Sequence, residues 1–76
     1  MMPVVEVIAR TDTVDRTIEQ VAPYLWRGWR VDTTTVQATG GGWSTFDIVA
    51  DGVTIASAED LAGRLQSGLF GAKVRP

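Results

Sequence analysis

The sequence predicts one small α/β domain, two helices against a mixed four-stranded sheet, in the order β-α-β-β-β-α. Three observations point there. Residues 4–10 (VVEVIAR) form a β-branched run. Val14, Ile18, Val21, Ala22 and Leu25 recur at helical spacing directly after it. Alternating residues 45–50 and a second helical stripe at Leu61, Ala62 and Leu65 complete the pattern. Seventy-six residues with 45% hydrophobic content suit a single domain with its own core.

Each element has a local reason. In 4–10 only Glu6 interrupts the apolar run, which predicts a central strand covered on both faces. Asp12 and Thr13 offer N-cap oxygens, and Asp15 suits a first helical turn. Pro23 cannot donate to the carbonyl of Glu19, so the helix should kink or restart there, with Gly28 as a left-handed stop. Residues 29–39 are rich in Thr and Val, as a half-buried strand requires. Val31 and Val36 fall on opposite faces of an uninterrupted strand, so a bulge is expected between them. Gly40, Gly41 and Gly42 form a loop.

Residues 45–50 alternate with Phe46, Ile48 and Ala50 inward. Asp51-Gly52 then reads as a hairpin turn into a short returning strand, 53–56. Ser57 to Asp60 resembles a capping box, Asp60 and Arg64 are spaced as a helical ion pair, and Gly68 is the stop. Residues 69–76 remain as a tail that folds back on the core, stays mobile or meets a partner. A helix on each sheet face would give three layers; a two-layer ferredoxin-like α+β arrangement is the alternative.

This order, with Val36-Gln37-Ala38-Thr39-Gly40 followed by residues 46–55 (FDIVADGVTI), resembles the selenoprotein W-like branch of the thioredoxin-like fold. The resemblance implies a thioredoxin-like outline. That family carries its redox Cys-x-x-Cys motif where the first strand meets the first helix, and here the junction reads Arg10-Thr11-Asp12-Thr13. Nothing of the motif carries over, so the resemblance implies at most a redox-inactive relative recruited for binding.

Composition removes several chemistries. The chain has no cysteine and no histidine, hence no disulfide, no thiol redox step, and neither the commonest general base nor the commonest zinc ligand. The formal net charge is −2, without the basic surplus of a nucleic-acid module. Six of the seven basic residues are arginine, and with abundant Ala, Val, Gly, Asp and Thr this resembles coding from a GC-rich genome, an actinobacterium or one of its phages. No stretch approaches a bilayer span and no signal peptide is evident, so a cytoplasmic location is expected.

The candidate binding residues are Trp26, Arg27, Trp29 and Arg30, then Trp43 beside the glycine loop, then Leu69 and Phe70 in the tail. Tryptophan and arginine dominate protein-interface hot spots and can also stack on bases. The plainer reading is that one Trp closes the core while the arginines complement a helix C-terminus. The glycine loop lacks the lysine and following helix of a phosphate loop. The carboxylates are scattered, so no metal, cofactor or catalytic residue is assigned; a carboxylate enzyme would need two strand carboxylates facing one pocket.

The expected function is a non-enzymatic protein–protein interaction module binding a host or virion protein. A nucleic-acid-binding module and a self-assembling structural subunit are the alternatives, and a homo-oligomer is compatible with each.

Overall fold

The computed structural model describes residues 2–26 and 28–76. The chain runs β1 (Val4–Arg10), a 3-10 turn (Thr11–Thr13), α1 (Val14–Val21), a second 3-10 turn (Ala22–Tyr24), β2 (Arg30–Gly40), β3 (Trp43–Val49), α2 (Ile55–Ser67) and β4 (Gly71–Arg75). The sheet order is β2-β3-β1-β4, and every neighbouring pair is antiparallel. A small α/β domain with four strands and two helices is therefore found, but its sheet is antiparallel throughout rather than mixed. The order β-α-β-β-α-β is the split arrangement of the two-layer ferredoxin-like alternative. A thioredoxin-like outline finds no support in it.

The reason lies in β3, which occupies the slot between β1 and β2 that a direct crossover would have closed. Val5 and Val7 on β1, opposite Ile48 and Phe46 on β3, are buried with Val21 of α1 and with Ala58, Leu61 and Leu65 of α2. One sheet face thus takes both helices. The other face is open, and β1, though central, is covered on one side only. The β-branched run is blind to this difference, since Val4 and Ile8 suit either environment.

Pro23 ends α1 as expected, and the chain continues as a 3-10 turn. The expected N-cap oxygens are not used: no side chain caps α1, whose start is led in by the turn at Thr11–Thr13. Thr11 is held by β3 instead. Its hydroxyl bonds that of buried Ser44 at 2.7 Å, and its N–H donates to the Gly42 carbonyl at 2.8 Å.

The bulge in β2 is found between Asp32 and Gln37. The Asp47 N–H donates to the Thr35 hydroxyl at 2.8 Å, and that hydroxyl donates to the Asp32 carbonyl at 2.6 Å, so one side-chain oxygen is inserted into a ladder rung. The Asp32 carboxylate accepts from the Thr34 hydroxyl and N–H. These bonds, the hydroxyl first, hold its pKa below the usual carboxylate value, with a smaller pull from Arg30. The hairpin turn is Gly41-Gly42, both at positive φ (65° and 84°), a conformation glycine adopts without strain.

One expectation fails after β3. Asp51-Gly52 does turn the chain, with Gly52 at φ 64°, yet it leads into α2 and not into a returning strand. Thr54 is the cause. Its side chain accepts from the Ser57 N–H at 3.2 Å while the Ser57 hydroxyl accepts from the Thr54 N–H at 3.3 Å, a capping box three residues earlier than the one read at Ser57. The stretch 69–76 folds back on the core, one of the outcomes expected of it, and is not mobile: β4 pairs with β1 along its length, and Phe70, Ala72 and Val74 pack on the core. No helix among the described residues is long and apolar enough to cross a membrane.

Candidate interaction site

The two tryptophans of the Trp/Arg segment belong to the core and its margin. Trp29, expected as a binding residue, is 8% exposed and belongs to the main hydrophobic cluster. It immediately precedes β2, where Val31, two residues on, also packs on the core. Trp26 meets Trp29 edge to face, with centroids 6.0 Å apart, and is half-buried beneath the Arg64 guanidinium at 4.7 Å. Arg64 is thus turned to an indole and not to Asp60. Phe70, also expected at an interface, is partly buried and meets Tyr24 edge to face at 5.3 Å. Arg30 is exposed, and Arg27 lies outside the described residues.

Strand alternation puts Glu6, Ile8 and Arg10 of β1 on the open face. Thr45, Asp47 and Trp43 of β3 stand opposite them, and Gly71, Lys73 and Arg75 of β4 flank the other side. At the centre, the Arg75 guanidinium bridges Glu6 at 2.9 Å and Asp47 at 2.6 Å, and Lys73 lies 3.5 Å from Glu6. Asp47 holds the Arg75 proton still more firmly than usual, through a hydrogen bond first and Coulomb attraction second. Arg10 lies over Trp43, 5.4 Å from the ring centroid, at the end of the face where β1 finishes and β3 begins.

Glu6 and Asp47 do line one concavity of about 340 Å³ beside the β2 bulge. This meets the geometric condition set for a carboxylate enzyme. Both carboxylates are, however, bridged by one guanidinium, which engages an oxygen of each and leaves less of either free for a substrate. An adjoining concavity of about 580 Å³ is floored by Ile8 and Thr45 and rimmed by Gln37, Thr39 and Lys73.

Of the six exposed large apolar side chains among the described residues, Ile8, Trp43 and Leu69 lie toward one end of the sheet. Ile8 is 45% and Trp43 41% exposed on neighbouring rungs, and Leu69 is 94% exposed two residues before Gly71, the β4 partner of Ile8. Leu69 also has the only positive φ (69°) of any non-glycine residue described. It is the C′ residue of a Schellman motif. Its N–H bonds the Gln66 carbonyl at 3.0 Å, and the Phe70 N–H bonds the Leu65 carbonyl at 3.0 Å. Glycine is the usual occupant of that position. Leucine there costs about 1–2 kcal/mol in left-handed strain.

Of the residues singled out from sequence, Trp43 and Leu69 stand exposed toward the same end of the sheet, on strand β3 and before β4. Trp26, Trp29 and Phe70 go to the core or its margin. Ile8 and Arg10 were missed, although Glu6 and Arg10, both polar and of the same parity, marked the solvent side of β1. No protein-family model matches the chain, and no curated protein or solved structure shows significant similarity to it.

Proposed function

We propose that the chain is a non-enzymatic protein-interaction module that docks a protein partner through the end of its open sheet face, with Leu69, Ile8 and Trp43 as apolar anchors and Arg10 beside them. One observation carries the reading: a large apolar side chain stands 94% exposed at a strained backbone position that glycine would relieve. Burying a leucine recovers about 1.5–3 kcal/mol, so a partner offering an apolar pocket would gain from a side chain already held out by the backbone. Tryptophan and arginine beside it match the usual composition of binding hot spots.

Nucleic acid fits the same face less well. Four-stranded sheets that bind single strands stack bases on aromatics of the two central strands. Here β1 and β3 are central, Trp43 is the sole aromatic they place on that face, and Glu6 and Asp47 sit where phosphates would pass.

The test uses Leu69→Gly. Removing the strain, less the greater chain entropy of glycine, should raise stability by roughly 1 kcal/mol. Capture of partner should fall instead. Photo-crosslinking in an extract of the source cells, with a benzophenone side chain at position 69 and a control at exposed position 16, should label one protein from 69 and nothing from 16. Unchanged labelling of the partner through a benzophenone at position 43 when Leu69→Gly is introduced would sink the reading. Binding that falls by about one logarithmic unit per phosphate contact as salt rises would point to nucleic acid instead.

A further inference from the structure

The two edges of the sheet are finished differently. Edge strand β4 has five residues, carries Lys73 and Arg75, and is followed by Pro76. The Ala72 carbonyl, on the outward side of β4, accepts from the Gln66 side-chain amide at 2.8 Å. Charge, brevity, proline and a side-chain cap are the means by which proteins close a sheet edge.

Edge strand β2 has eleven residues, and no charge lies between Asp32 and Asp47. Within the bulge, the Thr34 N–H and the Asp32 carbonyl find side-chain partners. Beyond it the edge is open. Since the Asp47 N–H points toward β2, strand alternation turns the Thr45 backbone the same way and makes its partner Gln37 face inward. The N–H and C=O groups of Val36 and Ala38 therefore face outward. Among the described residues, no neighbouring strand and no side chain pairs with them. Val36 is exposed as well.

We infer that this edge pairs antiparallel with the β2 edge of a second copy of the chain. A second copy brings a preformed strand with the same vacant donors and acceptors. For any two-fold axis between Thr34 and Ala38, Arg30 and Asp32 stand opposite uncharged residues of 36–40 or run past the end of the partner strand, so no like charges meet. The axis of an antiparallel edge pair is perpendicular to the sheet, which keeps both open faces on one side. The dimer is then a continuous eight-stranded sheet with two copies of the Leu69–Trp43 end facing the same way, and binding to a repeated partner gains avidity. The inference rests on the edge alone and does not require the docking role of Leu69.

Sedimentation of the full chain from micromolar to millimolar concentration tests it. The expected result is a monomer–dimer equilibrium in which the amides of Val36 and Ala38 become protected from hydrogen exchange as the dimer forms. The double variant Val36→Lys/Ala38→Lys, changing two exposed side chains, should raise the dimer dissociation constant by at least about tenfold while leaving the circular dichroism spectrum intact. Lys73→Thr on the opposite edge should leave the constant unchanged. A monomer at every concentration overturns the inference, as does a dimer indifferent to the two lysines. A dimer lost instead in Leu69→Gly would place self-association on the open face and overturn it too.

Discussion

Trp29→Ala is expected to lower stability by about 3–5 kcal/mol, the usual cost of deleting a large aromatic from a core. The side chain is 8% exposed, so nearly all of its surface has been withdrawn from water by folding. Little can collapse into the hole, because Trp26, its edge-to-face neighbour, is itself held under Arg64. For a domain of this size each kcal/mol moves the melting temperature by about 4–8 °C, so the variant should melt well over 10 °C lower. Denaturant unfolding followed by circular dichroism measures this directly. A change below 1 kcal/mol would show that the indole is dispensable to the core and return Trp29 to the candidate surface residues. The expected loss also makes alanine at Trp29 a poor probe of binding, since a partner lost to unfolding resembles a partner lost to a missing contact.

That reassignment shows what the sequence could and could not say. The periodic signals were local and legible: the stripe Val14, Ile18 and Val21 of α1, the break at Pro23, the bulge required by Val31 and Val36, and the stripe of α2 appear as read, while Ala22 and Leu25 fall beyond the helix. What failed depended on where distant pieces meet. A tryptophan looks the same at a core margin and at an interface, and only the approach of α2, with Arg64, decides that Trp26 is covered. A β-branched run is equally content with one or two covered faces, and both helices happen to pass the same side of β1. The returning strand expected after Asp51-Gly52 was competed out by a capping box of Thr54 and Ser57, which the better-known Glu/Gln form of that motif had hidden. The site was half legible: Trp43 and Leu69 stood out as apolar residues in excess of a small core. Their neighbours Ile8 and Arg10 came from β1, thirty-three or more residues away in the chain.

The end of α2 shows how sharply neighbouring positions can differ once contacts are known. Gly68 has φ −84°, which any residue adopts, so its glycine is not needed for the backbone. A Cβ there would lie 2.5 Å from the Tyr24 hydroxyl oxygen, 2.7 Å from Cζ and 2.9 Å from Cε2. The ring cannot retreat freely, because its other contact is the edge-to-face pair with Phe70, and the Phe70 N–H closes the Schellman motif on Leu65. Gly68→Ala should therefore cost about 1–3 kcal/mol, the range for overpacking. Gly63, in the same helix, has open space around its would-be Cβ, so Gly63→Ala should instead stabilise the protein by roughly 0.8–1 kcal/mol through helix propensity alone. Two identical substitutions five residues apart thus carry opposite signs. A double-mutant cycle assigns the cause: with Tyr24→Leu in place, the penalty at Gly68 should shrink while the gain at Gly63 persists. A penalty at Gly68 that survives the loss of the ring would mean that the Tyr24–Phe70 pair does not close this corner, and the joint between α2 and β4 that presents Leu69 would need another explanation.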